Sequence, residues 1–232
     1  MRMYWILTGI IVVLILLAIM FGPNAWRLYK VTHLFDKNTI SYNFINMKEF
    51  FPTSTPIKAS NNPYVFKKRD DFLLPDLFEF EGEEKKIKEA IDYFNTDGLM
   101  ILKDGEIVYE NYWNKNKENS QHIIWSVSKS FLSALVGIAL DEGLIEDIND
   151  PIIKYLDDFK DTGYEGVSIK NLLQMSSGIK FNEDYGDPDS DINRYGRVTA
   201  TGTSQREFAK TLKNSKKPGT YNHYISLDSQ ML

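Results

Sequence analysis

The 232-residue chain contains no cysteine, which excludes disulfides, thiolate zinc sites and a cysteine nucleophile. Histidine is scarce. His33, His122 and His223 are scattered without metal-ligand spacing, so each reads as a surface or packing residue. Basic charge is not in excess. The net charge of -5 gives no electrostatic reason to expect a nucleic-acid partner. Internal repeats and low-complexity tracts are missing too. Apolar residues make up 43% of the chain, enough for a core, and the length suits one domain with an appendage.

The longest apolar run opens the chain. From Trp5 to Gly22 only Thr8 interrupts it, and Pro23 and Asn24 end it. A run of about 18 residues is near the span of a bilayer core and longer than a signal-peptide apolar region. Tyr4, Trp5 and Trp26 stand where an interfacial aromatic belt would lie. No small-x-small cleavage site follows, which favours an uncleaved single-pass anchor over a removed signal peptide. Arg2 precedes the run while Arg27, Lys30 and Lys37 follow it, so charge alone would put the body in the cytoplasm.

Residues 25–75 mix aromatics, Asn, Thr and Pro without periodicity and read as an extended linker that wraps onto the body. Apolar spacing of Ile87, Ala90, Ile91 and Phe94 predicts a helix over Glu83 to Phe94. Leu99–Leu102 and Ile107–Tyr109, joined by Asp104-Gly105, predict a hairpin. Further short helices are expected at Pro151–Leu156, Val167–Met175 and Ser204–Lys213, the last with Phe208 and Leu212 inward. Lys180–Arg197, rich in Asp, Asn, Gly and Tyr, reads as a long loop. Its alternating carboxylates suggest calcium, but the EF-hand pattern is absent and a solvated or substrate-facing loop is the better reading.

The chemistry is carried by Ser126-Val127-Ser128-Lys129, which opens an apolar helix ending near Asp141-Glu142-Gly143. Positions i and i+3 share a helix face, so the Lys129 amine is placed beside the Ser126 hydroxyl. A lysine in a dry pocket loses its proton readily enough to serve as the base that serine needs. The helix start would add unpaired N–H groups where an oxyanion forms. Spacing alone does not single this motif out, because Ser177-Gly178-Ile179-Lys180 repeats it. There Gly178 follows the apolar run Ile169, Leu172, Leu173, and the segment reads as a helix C-terminus. The plainer reading of Ser126 and Lys129 is an N-cap and a solvated lysine. Likewise Pro218-Gly219 followed by Tyr224 and Ser226 is either a turn with a packing aromatic or a proton-relaying tyrosine.

Taken in order, these segments resemble the serine β-lactamase-like hydrolases, the superfamily of class C β-lactamases, penicillin-binding enzymes, esterases and 6-aminohexanoate-dimer hydrolases. Gly98–Tyr112 is similar to its first strands. Trp125–Ser130 resembles its Ser-x-x-Lys motif, Leu172–Ile179 its "LLxMtSGi" stretch, and Phe181–Asp191 the "EdYxdpdSD" loop of the 6-aminohexanoate-dimer hydrolase branch. Pro218-Gly219-Thr220 with Tyr224-Ile225-Ser226 resembles "PGt…YsN", Ser226 replacing the usual asparagine. The match covers about residues 80–232.

The resemblance implies an α/β (α+β) β-lactamase-like fold. It implies Ser126 as nucleophile, Lys129 as general base and Tyr224 as proton relay, with Tyr185 as a substrate-contacting residue. The substrate would be a small-molecule amide or ester, without metal or organic cofactor. Family members are commonly exported, so the body is expected on the outer side of the membrane, against the charge count. The expected division is an anchor over 1–24, a linker over 25–75 and a hydrolase domain over 76–232. That domain would hold only the N-terminal part of the fold, the first sheet hairpin plus the helical region. The family's further strands, its Lys/His-x-Gly motif and its last helix are not matched, so a truncated and inactive chain is expected. A non-catalytic binding or sensor module on the same fold is the rival reading. The sequence leaves the oligomeric state open.

Overall fold

The computed structural model describes residues 2–50, 54–202 and 204–232; the side chains of Arg2, Met3 and Trp5 also fall outside the described set, and with them the expected roles of Arg2 charge and of Trp5 in an aromatic belt. Packing divides the described chain into two units, Tyr29–Ile123 and the residues up to Leu28 together with Ile124–Leu232.

Helix α1 runs Arg2–Thr32, past the Pro23 expected to end it. Proline removes a single backbone donor, and the helix resumes beyond it through Trp26 to Lys30. Thr8, the only polar side chain in the apolar run, donates to Tyr4 O at 2.8 Å and so needs no other partner. The span Ile6–Thr32 is long and apolar enough to be a membrane span or a signal sequence, and none of its most apolar window is buried.

In the Tyr29–Ile123 unit, the stretch read as linker holds a short helix α2 (Ile40–Ile45). Asn43 is buried there and donates to Leu34 O at 2.9 Å, which ties the turn after α1 to α2. Strand β1 (Leu77–Phe80) pairs antiparallel with β2 (Glu83–Lys86). This corrects the helix expected from Glu83. Glu81 and Gly82 both take positive φ, 54° and 78°. Such a pair makes a tight hairpin turn, which draws the next four residues into a strand. The helix α3 starts only at Ile87 and ends at Tyr93, leaving Phe94 exposed rather than inward.

Strand β3 (Gly98–Lys103) and β4 (Glu106–Tyr112) form the expected hairpin, with a register shift at Ile101/Leu102. Asp104 and Gly105 again take positive φ, 53° and 78°. Lys67–Arg69 run beside β4, Arg69 N donating to Ile107 O and Ile107 N to Lys67 O at 2.8 Å each. Lys68 adds an ion pair to Glu110 at 2.7 Å. His122 Nε2 lies 3.0 Å from Asp97 Oδ2, and its Nδ1 donates to Ile123 O at 2.7 Å.

The second unit carries the larger core. Helix α4 (Ser128–Asp141) is followed by 3-10 turns at Ile152–Lys154 and Asp157–Phe159, then α5 (Ile169–Leu173). A capping box starts α5. Ser168 Oγ accepts from Asn171 N, and Asn171 Oδ1 accepts from Ser168 N, both at 3.2 Å. Helix α6 (Asp191–Thr201) occupies part of the segment expected to be loop. Its residues are poor helix formers, but Ser190 caps it, Asp191 pairs with Arg194 at 3.0 Å, and Gly202 at φ 76° ends it. Helix α7 (Gln205–Lys210) is capped by Ser204, and Phe208 and Leu212 are buried as expected. A 3-10 helix over Ser226–Met231 inserts Leu227 and Met231 into the core beside Phe159, Tyr164 and Leu172.

The core does not enclose α4. Of its residues only Val136 is buried, while Phe131, Leu135 and Ile138 are 63%, 60% and 52% exposed. The apolar run predicts a buried helix; in the structure its i, i+4, i+7 stripe faces solvent.

Candidate active site

Trp125 to Val127 form a 3-10 turn that runs directly into α4. Trp125 sits at φ 43°, a conformation that bulky residues rarely adopt. The turn is held by Ser128 Oγ donating to Trp125 O at 2.7 Å and by Val127 N donating to Ile124 O at 3.0 Å. Strain of this kind persists only where surrounding contacts enforce it, and it gathers at functional sites. Here it presents the Ser126 side chain at the helix start.

Lys129, one turn on, reaches back to Ser126 Oγ at 2.9 Å. Tyr224 arrives from the far end of the unit and donates its hydroxyl to the same oxygen at 2.7 Å. The Lys129 ammonium also lies 5.3 Å from the centroid of the Tyr224 ring, within reach of a cation–π attraction. Burial pushes the Tyr224 hydroxyl up, but its bond to Ser126 and the neighbouring Lys129 charge outweigh this and hold it below the usual tyrosine range. Ser126 and Tyr224 are exposed and Lys129 is half-buried, so the cluster is open to solvent, not a dry pocket.

Tyr224 is brought in by the chain around it. His223 N donates to Met175 O at 2.8 Å and His223 Nε2 lies 3.0 Å from Phe181 O. Ile225, next to Tyr224, is fully packed in the core. Gly219 N donates to Ser176 O at 2.8 Å, so the Pro-Gly turn is tied to the Ser176-Ser177-Gly178 segment.

Tyr185 joins the cluster indirectly. Its hydroxyl donates to Glu183 Oε1 at 3.1 Å, and burial together with the Glu183 charge raises it above the usual tyrosine range. Glu183 in turn accepts from Ser226, at 3.0 Å from the backbone N–H and 2.5 Å from Oγ. Ser226 Oγ also receives Lys129 Nζ at 3.4 Å. Sequence reading assigns Glu183 no role and notes Ser226 only as the replacement for the motif's usual asparagine. Glu183 was one carboxylate in an acidic loop, and 43 residues separate it from Ser226, so no spacing rule connects them.

The second Ser-x-x-Lys has a different fate. It is extended, not a helix end: α5 stops at Leu173, and Ile179 bridges Asn214. Ser177 is fully buried. Gly178 sits at φ 76°, and a Cβ there would lie 2.2 Å from Lys216 O. Its glycine thus serves a close approach of two backbones.

In fold these elements form a β-lactamase-like domain of helices and small antiparallel sheets. Residues 85–232 match the family model described as Beta-lactamase, and the chain belongs to that family, within the serine β-lactamase-like superfamily. It is 30% identical over 166 residues to the 6-aminohexanoate-dimer hydrolase of Paenarthrobacter ureafaciens, an alignment covering 68% of this chain and 39% of that protein. A beta-lactamase of Pseudomonas fluorescens is 31% identical over 87 residues, 34% of this chain and 24% of that protein. Among solved structures, a candidate 6-aminohexanoate-dimer hydrolase from Bacillus anthracis superposes with a TM-score of 0.68 at 18% identity, covering 85% of this chain and 54% of that one. The chain therefore spans about two fifths of the one 6-aminohexanoate-dimer hydrolase and just over half of the other.

Proposed function

We propose that this protein is a serine hydrolase that opens an amide or ester through an acyl-enzyme on Ser126. The observation that carries the reading is the convergence on one oxygen: Lys129 Nζ at 2.9 Å and Tyr224 Oη at 2.7 Å from Ser126 Oγ. As Ser126 Oγ bonds to the substrate carbonyl carbon, Lys129, acting as the base, takes the hydroxyl proton. Tyr224 then gives its proton to the leaving nitrogen or oxygen as that bond breaks, and is reprotonated from Lys129. Water releases the acyl group by the reverse route. The oxyanion forms beside the start of α4, where the Val127 and Ser128 N–H groups are already committed within the turn and the Ser126 N–H is the candidate donor. The relative named for hydrolysing 6-aminohexanoate dimer makes a linear amide the first substrate class to test, with a simple ester beside it.

The experiment is covalent labelling of the 232-residue protein by a fluorophosphonate, followed by peptide mapping and by turnover of an ester and an amide. Labelling at Ser126 that Ser126→Ala abolishes is the expected result, and turnover by the 232-residue chain would overturn the expectation that it is truncated and inactive. Labelling that survives Ser126→Ala removes the assignment; labelling without turnover favours a binding module. We further propose that α1 anchors the protein with the site on the outer side of the membrane; the length and apolar character of Ile6–Thr32 support the anchor. Protease added to intact cells should then cleave the body and leave α1.

A further inference from the structure

Glu183 takes no part in the scheme above, yet its carboxylate grips the neighbour of Lys129 at two points. Oε2 accepts the Ser226 N–H at 3.0 Å, and Oε1 accepts the Ser226 hydroxyl at 2.5 Å. The direction of these bonds is fixed by chemistry, because a carboxylate can only accept. A serine hydroxyl has one proton. With that proton committed to Glu183, Ser226 Oγ can face Lys129 Nζ, 3.4 Å away, only as an acceptor.

That polarity matters to the base. Neutral Lys129 has one lone pair, which must point at Ser126 to take its proton. A Ser226 hydroxyl free to rotate would donate to the same lone pair and turn it aside. We propose that Glu183 is a positioning residue: by holding Ser226 as an acceptor, it aims the Lys129 lone pair at Ser126. The proposal rests on the serine-hydrolase reading.

The test measures fluorophosphonate labelling of Ser126 in the full chain, separating the maximal labelling rate from the half-saturating probe concentration. Glu183→Gln keeps the shape but offers an amide N–H to Ser226 Oγ, which frees the hydroxyl proton for Lys129. The maximal rate should fall roughly 10–100-fold, the range typical of partners one shell out, with half-saturation unchanged. Ser226→Ala removes the hydroxyl that mispoints. Added to Glu183→Gln, it should therefore restore the rate to that of Ser226→Ala alone. Glu183→Ala provides a second background in which the same rescue is expected.

A wild-type rate for Glu183→Gln would overturn the proposal. So would a double variant slower than Glu183→Gln, since a residue that merely anchors its loop gives losses that accumulate. Loss of cooperative thermal unfolding in both Glu183 variants also overturns it, by assigning Glu183 to the fold. Absence of Ser126 labelling in the wild type is a separate outcome that removes the hydrolase reading itself.

Discussion

Tyr224 donates to Ser126 Oγ across 2.7 Å although 98 residues separate them in the chain. Ser126 and Lys129 are joined by helical spacing alone, but Tyr224 reaches them only because the core fixes its neighbours. The pair thus reports whether the second unit is folded around the site. In the proposed mechanism it would split the proton traffic between two groups, Lys129 beside Ser126 and Tyr224 toward the leaving group.

Tyr224→Phe should reveal that split. Removing one general acid/base typically costs about 10²–10⁴-fold. The loss should fall on kcat of an amide, whose leaving nitrogen needs a proton, with KM nearly unchanged. A p-nitrophenyl ester, whose phenolate leaves unaided, should lose much less. Equal kcat values for wild type and variant on the amide would mean that Tyr224 only packs.

Lys129→Arg should be as damaging as Lys129→Ala. Arginine retains the positive charge and reach but does not give up its proton in proteins. If Lys129 serves as base, both variants label with fluorophosphonate about 10²–10⁴-fold more slowly. If it merely stabilises charge, arginine should retain most of the rate.

What could be read from the sequence was whatever depends on near neighbours. The i, i+3 placement of Ser126 and Lys129 follows from helix geometry, and Asp104-Gly105 announces its hairpin by the positive φ both residues take. Phe208 and Leu212 were legible as an inward stripe. Glu81-Gly82 is the same kind of turn signal, but it was masked by the helical spacing of Ile87, Ala90 and Ile91 just beyond it. Helix α6 was hidden because caps and one ion pair, not residue propensity, hold it. The Glu183–Ser226 contact and the burial of Asp228 arise from tertiary packing between distant segments, so no local pattern announces them. The exposure of α4 was misread for the related reason that an apolar run specifies a wish for burial, not a partner.

That exposed stripe is predicted to promote self-association of this 232-residue chain. Phe131, Leu135 and Ile138 stack along one side of α4 at 63%, 60% and 52% exposure. Contiguous apolar surface of this sort marks an interaction or aggregation site. Leu135→Lys should lower light scattering of concentrated protein at unchanged melting temperature, since an exposed site tolerates lysine within about 0.5 kcal/mol. A variant that melts several degrees lower would show that Leu135 is packed.

Asp228 contributes a pH-dependent term to stability. It is fully buried two residues beyond Ser226. Tyr164 donates to its Oδ1 at 3.2 Å, while Oδ2 has no partner among the described residues. Burial pushes its carboxyl up to about 6 from 3.8, and Ser177 and Tyr164 offset only part of that. A raised carboxyl means that between those values the folded state binds more protons than the unfolded state. Unfolding free energy then falls as pH rises. Its contribution is flat below the unfolded value, falls from there to about 6, and is flat again above. The loss amounts to about 3 kcal/mol at about 1.4 kcal/mol per unit. Asp228→Asn, neutral at every pH and still able to accept from Tyr164, should therefore be more stable than wild type at pH 7 by about 1–3 kcal/mol. The advantage should vanish near pH 4. Denaturant unfolding of both proteins from pH 4 to 8 measures it. A constant difference across that range, or a variant less stable at pH 7, would mean that the buried carboxylate finds compensation elsewhere in the folded chain.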